Sequence, residues 1–284
     1  MNDYSIVIPA YNAESIISET IKSAWTLNPF EVIVVDDGST DSTGDVAASL
    51  DCRVIRTENQ GAARARRVGL ALVSTPLVTL LDADDRLIGN GTAESLRLAK
   101  QLLQSDEDFA CIVGATIIGN KAMPIWSDGV TTRNLLNRGR PPGPPAAFIW
   151  HSSNLSTALN SGPLPLAPAY AEDYELALRG TRNLRVVTHS IPSCIYSTAG
   201  GKSARNAHAS ISASEQIRRH YAKQWSIPIR HRSSTEIDLL AKIRTTLSKT
   251  GTSGNRLRIL WHCLEAVSQD PINLTKMIIH RVTR

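Results

Sequence analysis

The sequence predicts an α/β fold, in which a mostly parallel sheet is flanked by helices and followed by a helical C-terminal extension. Three observations lead to this prediction. Short apolar runs alternate with helical patterns over the first hundred residues, which is typical of parallel strands joined by crossover helices. Residues 1–200 hold 16 basic and 21 acidic residues, whereas residues 201–284 hold 15 and 5, so the chain changes character near residue 200. The length of 284 residues suffices for one large domain with an extension.

Continuous apolar runs predict the strands of the first half, and apolar residues at helical spacing predict the helices between them. The predicted strands are residues 4–10, 31–37, 52–57 and 77–82. The predicted helices are residues 12–27, the part of 38–50 that follows a turn, and 61–73. Asn12 is expected to cap the first of these helices.

Polar or unusual residues stand where three of these strands end. They are Pro9, Ala10 and Tyr11 at the first strand, Asp36 and Asp37 at the second, and Asp82, Asp84 and Asp85 at the fourth. In such sheets ligands bind beyond the carboxyl ends of the strands, so these residues are expected to converge at one edge. Carboxylates gathered there require a cation, and Mg²⁺ or Mn²⁺ accepts hard oxygen ligands together with substrate phosphates. The pattern therefore predicts a divalent metal that carries a diphosphate.

After residue 100 the alternation of strands and helices weakens. The Pro/Gly-rich residues 138–150 are interpreted as a connection or a lid. The remaining predicted features are an acidic helix at 170–180, a flexible basic stretch at 199–210, and helices at 213–225, at 235–249, at 256–268 and from Asp270 onward.

Composition argues against several classes of protein. No apolar run approaches the roughly 20 residues of a membrane-spanning helix, and the N-terminus lacks the basic region of a signal peptide. The four cysteines have no metal-type spacing, which indicates reduced thiols in a cytoplasmic protein. The basic part has three interpretations: a solvated helical face, contact with an anionic ligand, or peripheral contact with the anionic inner face of the plasma membrane. Nucleic acid is not expected, because aromatic residues do not alternate with the basic ones.

Five motifs follow one another along the chain: VIPAYN at 7–12, VVDDGSTD at 34–41, NQGAARARRVG at 59–69, LLDADD at 80–85 and AEDYELALR at 171–179. Each motif alone also suits a capped turn or an acidic helix start. In this order, they make residues 4–203 resemble the inverting glycosyltransferases of family 2, which have the GT-A fold.

The resemblance implies a role for each matching residue. It makes Asp173 the catalytic base, supported by Glu172, and assigns metal binding to Asp84 together with Asp82. The implied cofactor is Mn²⁺ or Mg²⁺, and Arg179 is expected to be structural. The implied nucleotide-binding residues are Pro9, Ala10, Tyr11, Asp36, Asp37, Asn59, Gly61, Arg66 and Asp82. Either Asp36 or Asp37 is expected to contact the base of the nucleotide. The glycines of the third motif are expected to permit close approach of the nucleotide.

The sequence departs from the family pattern at three positions. Arg67 stands where asparagine is usual. Ala199 stands where a histidine of the pattern Y-R-x-H-x-x-S would contact metal or diphosphate, and Lys202 or Arg205 is hypothesised to replace that contact. His220 stands in place of the tryptophan in the Q-x-x-R-W pattern of processive synthases, which favours transfer of a single sugar.

The implied organisation is a GT-A catalytic domain at 1–210, followed by a basic helical extension at 211–284. The nucleotide-sugar half of the domain is expected at about 1–100 and the acceptor half at about 101–210. In the acceptor half, Trp150 or His151 is a candidate contact to an acceptor sugar.

The implied activity is metal-dependent, inverting transfer of one sugar from a nucleotide-diphosphate sugar, with a UDP-sugar favoured. The acceptor would be a hydroxyl of a saccharide or lipid-linked saccharide, in cell-surface polysaccharide or glycolipid synthesis. A nucleotidyltransferase is disfavoured, because PAYNAES after the first strand lacks glycine and basic residues. The alternative is a degenerate transferase that binds a sugar nucleotide or a partner without turnover. Ala199 favours this alternative, whereas Asp84 and Asp173 oppose it.

Overall fold

The computed structural model of the chain describes residues 3–160, 166, 169–197 and 206–250, the last four of these as backbone only. The chain divides into two compact units, one that ends at Ser197 and one that follows it. The functional boundary predicted after residue 210 stays a prediction.

The first unit alternates strands with helices up to residue 104 and then becomes less regular. Its first elements are β1 (Tyr4–Ala10), α1 (Ile17–Trp25), β2 (Glu31–Asp36), α2 (Thr43–Ala48), β3 (Arg53–Arg56), α3 (Ala62–Leu70), β4 (Leu77–Leu80), β5 (Arg86–Leu87) and α4 (Gly89–Gln104). They are followed by β6 (Phe109–Ile118), β7 (Lys121–Met123), α5 (Thr132–Arg138), β8 (Phe148–His151), α6 (Ser152–Asn160), α7 (Glu172–Gly180) and β9 (Arg185–Tyr196).

In the described part of the chain, nine strands form one sheet in the order β3-β2-β1-β4-β8-β6-β9-β5, with β7 paired to β6. Pairing is parallel from β3 to β4 and between β6 and β9, whereas β8, β5 and β7 run antiparallel to their neighbours. The α/β fold is therefore confirmed, with parallel pairing concentrated in the first half. Because β8 runs antiparallel between β4 and β6, the strands β1, β2, β4, β6 and β9 all end at one edge, which we call the carboxyl edge.

The apolar runs that predict the first strands form the core of the sheet. β1 is buried along its whole length, as expected for a parallel strand covered on both faces. Gly69 allows α3 to pack closely on β1, because a Cβ added there would lie 2.3 Å from Cγ1 of Val7. The expectation that this glycine permits approach of the nucleotide is therefore wrong for Gly69, which serves helix packing.

The first helix begins later than the sequence predicts. α1 starts at Ile17, and Asn12 lies outside it with a positive φ of 48°. Asn12 does not cap the helix, because its Oδ1 accepts a hydrogen bond from the Thr40 amide at 2.9 Å. Its side chain instead links the turn after β1 to the turn after β2.

The second unit, as far as it is described, contains α8 (Ala207–Gln224) and α9 (Ser234–Thr250). The two helices pack through a small apolar cluster of Ala207, Ile211, Ile237, Leu240 and Ala241. They confirm the helices predicted at 213–225 and 235–249, although α8 begins earlier.

Three other predictions for this part of the chain fall wholly or mostly on residues that the structure does not describe. The helices predicted at 256–268 and from Asp270 onward lie outside the described residues, as does most of the flexible stretch predicted at 199–210. Among the helices that are described, none has the length and apolar character needed to cross a membrane.

Candidate active site

The D-x-D turn, residues Asp82–Asp85, follows β4 at the carboxyl edge. Its backbone closes through a 3.0 Å hydrogen bond from the Asp85 amide to the Asp82 carbonyl. Thr20 of α1 shares its hydroxyl proton between the carbonyls of Ala83 and Asp85, at 2.8 and 2.9 Å. Helix α1 therefore shapes the turn. Sequence reasoning missed Thr20, because a threonine on the inner face of an amphipathic helix resembles an ordinary buried residue.

Arg66 connects this turn to the acidic pair at the start of α7. Its guanidinium lies 2.6 Å from Oδ1 of Asp82 and 3.6 Å from Oε1 of Glu172. Only 5% of the Arg66 side chain is exposed, so the charge requires these partners. Burial alone would lower the pKa of Arg66. The carboxylates of Asp82, Glu172 and Asp173 outweigh this effect, so the pKa lies above its usual value. The structure thus brings four of the predicted site residues into one cluster.

Asp173 has the protonation properties of a general base. It lies half-buried in the first turn of α7, where its Oδ1 accepts a hydrogen bond from the Tyr174 amide at 2.8 Å. Burial raises the pKa of Asp173 to about 6, Glu172 adds to the rise, and Arg66 opposes it. A general base is most effective when its pKa is close to the working pH. Asp173 is therefore ionised at neutral pH and still basic enough to accept a proton.

The other two carboxylates of the D-x-D turn differ in exposure. Asp85 is fully buried, its Oδ1 accepts a hydrogen bond from the Ser197 amide at 2.9 Å, and burial raises its pKa to about 8. Asp84 is exposed, and partial desolvation together with the nearby Asp82 raises its pKa. Asp85 thus anchors the end of β9, while Asp84 faces the solvent.

The donor set at the turn fits a hard divalent cation that is completed by a ligand. No group of three or more His, Cys, Asp or Glu side chains in the described ranges could hold a metal on its own. Mg²⁺ commonly takes one or two carboxylates and fills its coordination shell with phosphates and water. Asp84 offers an exposed carboxylate for this purpose, and Asp82 already engages Arg66 through Oδ1.

Asp36 and Asp37, at the end of β2, both use their carboxylates inside the protein. Oδ1 of Asp36 accepts a hydrogen bond from the Ser39 amide at 2.9 Å, and its Oδ2 lies 3.2 Å from Nε of Arg56. Oδ2 of Asp37 accepts a hydrogen bond from the Gly61 amide at 2.7 Å. Asp36 therefore holds the turn after β2, whereas Asp37 holds the segment that leads into α3.

The other predicted nucleotide-binding residues differ in accessibility. Pro9 and Ala10 lie inside the buried strand β1, whereas Tyr11, just beyond it, is 50% exposed. Asn59 is also exposed. Gly61 has a positive φ of 91°, which favours glycine, and a Cβ there would meet nothing within 4 Å. Gly61 is therefore explained by its backbone conformation, and the space beside it stays open.

Trp150 and His151, the two candidate contacts to an acceptor sugar, both lie away from this site. Trp150 is fully buried in β8, where it stacks on Phe148 with ring centroids 5.0 Å apart. His151 is paired with Leu77, the first residue of β4, so it lies at the opposite end of that strand from the D-x-D turn. Packing within the sheet buries this tryptophan, although its position in the sequence suggested contact with an acceptor sugar.

Arg179 is structural, as predicted. Its guanidinium donates hydrogen bonds to the carbonyls of Ala158 and Leu159, at 3.0 and 2.8 Å, near the end of α6. Ala199 and its hypothesised substitutes, Lys202 and Arg205, lie outside the described residues, so the compensation for the family histidine stays a prediction.

A hydrogen bond that sequence reasoning missed ties α5 to α7. The Tyr174 hydroxyl donates to the Leu135 carbonyl at 3.0 Å, and both residues are buried. Because Tyr174 directly follows Asp173, this bond places α5 beside the helix that carries Asp173. The sequence does not predict this short helix, because the Pro/Gly-rich residues that directly follow it indicate a loop.

Parts of this chain are similar to known proteins. A family model for glycosyl transferase family 2 matches residues 5–122. The succinoglycan biosynthesis protein ExoU of Rhizobium meliloti (strain 1021) is 38% identical over 114 residues, which are 38% of this chain and 32% of ExoU. The Escherichia coli UDP-Glc:alpha-D-GlcNAc-diphosphoundecaprenol beta-1,3-glucosyltransferase WfaP is 39% identical over 87 residues, which are 28% of this chain and 35% of WfaP. The chain therefore matches only about a third of the length of these two relatives.

Solved structures share the fold at low identity. Staphylococcus aureus TarS 1–349 in complex with UDP-GlcNAc has a TM-score of 0.57 and 18% identity, covering 94% of this chain and 80% of its own. Glucosyl-3-phosphoglycerate synthase from Mycobacterium tuberculosis in complex with Mn²⁺ and UDP-Glc has a TM-score of 0.50 and 21% identity, covering 79% of each chain. The family model, the related sequences and the shared fold lead to one conclusion: residues 5–122 are similar to glycosyltransferase family 2, and the chain has the GT-A fold.

Proposed function

We propose that this protein is an inverting, metal-dependent glycosyltransferase that moves one sugar from a UDP-sugar to a hydroxyl of a saccharide or lipid-linked saccharide. The observation that carries the proposal is the link from Asp82 through Arg66 to Glu172. It holds the D-x-D turn and the base Asp173 around one buried guanidinium. A donor diphosphate and an acceptor hydroxyl could therefore meet between them.

The chemical step needs a base and a leaving group. Asp173 takes the proton of the acceptor hydroxyl as its oxygen bonds to the anomeric carbon, and the bond from that carbon to the diphosphate oxygen breaks. A single displacement of this kind inverts the configuration at the anomeric carbon and leaves UDP. The pKa of about 6 leaves Asp173 ionised at neutral pH and ready to accept that proton. Glu172 keeps Arg66 oriented on the acidic cluster.

The donor side is assigned to the turns at the carboxyl edge. Asp84 is the proposed metal ligand, with Asp82 beside it, and a bound Mn²⁺ or Mg²⁺ would neutralise charge on the departing diphosphate. We assign the contact with the nucleotide base to the turn after β2, at Asp36 or Asp37, whose carboxylates both hold neighbouring backbone amides in place. Exposed Tyr11 and Asn59 would border the nucleotide from the turn after β1 and from the segment before α3.

The related proteins support the donor and the setting. WfaP is by name a UDP-glucose-dependent transferase, ExoU a succinoglycan biosynthesis protein, and the two solved neighbours hold UDP-sugars, one of them with Mn²⁺. We accordingly propose polysaccharide or glycolipid synthesis as the setting. The basic residues 201–284 suit peripheral contact with an anionic membrane surface.

The test is an assay of UDP release by the full chain with a panel of UDP-sugars and saccharide acceptors, with and without Mn²⁺. Asp173→Asn should lower kcat by about 10²- to 10⁴-fold, the usual contribution of a general base, while UDP with Mn²⁺ still raises the melting temperature. Asp106→Asn, at an exposed position with φ of 54° that asparagine accepts, is the matched control. Full activity of Asp173→Asn, or no metal-dependent stabilisation by UDP, would contradict the proposal.

A further inference from the structure

The turn after β1 is held by side chains of residues 39–43, which form the turn after β2 and the first residue of α2. Three successive backbone amides donate to these side chains: Asn12 to Oγ of Ser39 at 3.0 Å, Ala13 to Oγ1 of Thr43 at 2.8 Å, and Glu14 to Oδ2 of Asp41 at 3.2 Å. None of these three amides belongs to a described helix or strand. Side chains therefore supply the partners that secondary structure does not.

Two further hydrogen bonds run in the opposite direction. Oδ1 of Asn12 accepts from the Thr40 amide at 2.9 Å, and Oε2 of Glu14 accepts from the Ser42 amide at 3.1 Å. Five backbone amides are thus bound by side chains of the opposite turn. We call these contacts between residues 12–14 and residues 39–43 the turn clasp. Asn12 takes part through both its amide and its side chain, and it has a positive φ of 48° that asparagine tolerates.

The turn clasp fixes the backbone directly beside an exposed aromatic ring. Tyr11 precedes Asn12 and is 50% exposed. Within the described ranges, the Tyr11 side chain makes no hydrogen bond, ion pair or ring contact. An aromatic residue packed in the core would explain so rigid a turn, but this ring lies half outside the protein. The rigidity therefore serves a surface that is left open to a ligand.

Contacts on the neighbouring strand place Tyr11 at the donor turns. Ala10, the residue before it, pairs with Asp36 in the register of β1 and β2, and its carbonyl accepts a hydrogen bond from the Asp37 amide at 2.8 Å. Oδ2 of Asp37 in turn holds the Gly61 amide at 2.7 Å, beside open space. The ring thus stands next to the turn and the segment that are assigned to the nucleotide.

We propose that Asn12 is a positioning residue for the donor, because the turn clasp that it closes holds the Tyr11 ring in place for the nucleotide base. The inference rests on the proposed transferase function and adds a residue that acts through its neighbour. Stacking of a base on an aromatic ring contributes about tenfold or more in affinity. A ring that is fixed before the donor arrives loses less entropy on binding, so the turn clasp sets the affinity for UDP.

The test measures binding of UDP with Mn²⁺ to the full chain by calorimetry. Asn12→Gly removes the Oδ1 acceptor but keeps a residue that adopts a positive φ, and it should weaken UDP binding about tenfold. Tyr11→Ala removes the ring and should also weaken UDP binding about tenfold. If Asn12 acts through the ring, Asn12→Gly should cost less than twofold more when it is combined with Tyr11→Ala. A merely structural role would instead make the two losses add.

Asn28→Gly is the matched control, because Asn28 is exposed and has a similar φ of 51°. It should change UDP binding less than twofold. Ser39→Ala removes one bond of the turn clasp and should weaken UDP binding about threefold, which provides the test if Asn12→Gly does not fold.

Three results would overturn the inference. The first is UDP binding like that of wild type in a folded Asn12→Gly, or in Ser39→Ala if Asn12→Gly is unfolded. The second is additive losses in the double variant, and the third is an equal loss in Asn28→Gly. Failure of wild type to bind UDP with Mn²⁺ would instead contradict the transferase function.

Discussion

Replacing Arg66 by methionine removes a positive charge that faces three carboxylates, and it should change the pH dependence of activity. Arg66 lies 2.6 Å from Asp82 and 3.6 Å from Glu172, and its charge lowers the pKa of Asp173. Without that charge, the pKa of Asp173 rises above its present value of about 6. Because catalysis needs the ionised base, the acidic limb of kcat/KM should move to higher pH.

Coulomb's law gives the size of the shift. We take the interaction of Arg66 with Asp173 as about 2 kcal/mol, half of the about 4 kcal/mol that two unit charges about 4 Å apart have at an effective dielectric constant of about 20, and this corresponds to about 1.5 pH units. Asp173 is only half-buried, so solvent screening reduces the expected shift to about one pH unit. At pH 6 the variant should then lose about fivefold more activity than at pH 8, beyond any loss common to both. Arg66→Lys keeps the charge and should leave the limb within about half a unit of wild type.

The assay is UDP release at saturating Mn²⁺ between pH 5 and pH 9, with circular dichroism at each pH to establish that the variants are folded. Breaking a buried ion pair costs about 3–5 kcal/mol, and somewhat less here because Asp82 and Glu172 are 27% and 22% exposed. The methionine variant is therefore measured well below its melting temperature. A folded Arg66→Met with an unshifted limb, or an equal shift in Arg66→Lys, would refute the argument.

Three further predictions concern the metal, the packing of α3 and the link between α5 and α7. Asp84→Asn should raise the Mn²⁺ concentration needed for half-maximal activity by about tenfold or more, measured by metal titration, whereas an unchanged titration would show that Asp84 is not the ligand. Gly69→Ala should lower the free energy of unfolding by about 1–3 kcal/mol in urea titration, because its Cβ would overlap Val7, whereas Gly89→Ala, which meets open space, should be neutral or stabilising. Tyr174→Phe should cost about 1–2 kcal/mol of stability, measured in the same way, because it leaves a buried carbonyl without one of its donors.

The first half of the fold could be predicted because its information is local. Each of β1, β2 and β4 is a continuous apolar run, and the helices between them make parallel pairing the expected arrangement. Once those strands are parallel, Asp37 and Asp82 must come to one edge of the sheet. The convergence of the motif residues was therefore contained in the sequence, and the structure agrees with it.

Other features depend on contacts between distant parts of the chain. No local pattern specifies that the guanidinium of Arg66 bridges Asp82 and Glu172, since the partners lie on different elements. Likewise the stacking of Trp150 on Phe148 in β8 keeps this residue away from the site, and no local pattern specifies that contact.

The sequence by itself determined which residue types stand at the ends of the parallel strands, because apolar periodicity and motif order act over short distances. Only the tertiary structure decided which charges meet, how deeply each is buried and therefore how its pKa moves. Pairing and desolvation arise from the packing of whole elements, as at Asp173, where burial raises the pKa and Arg66 opposes the rise.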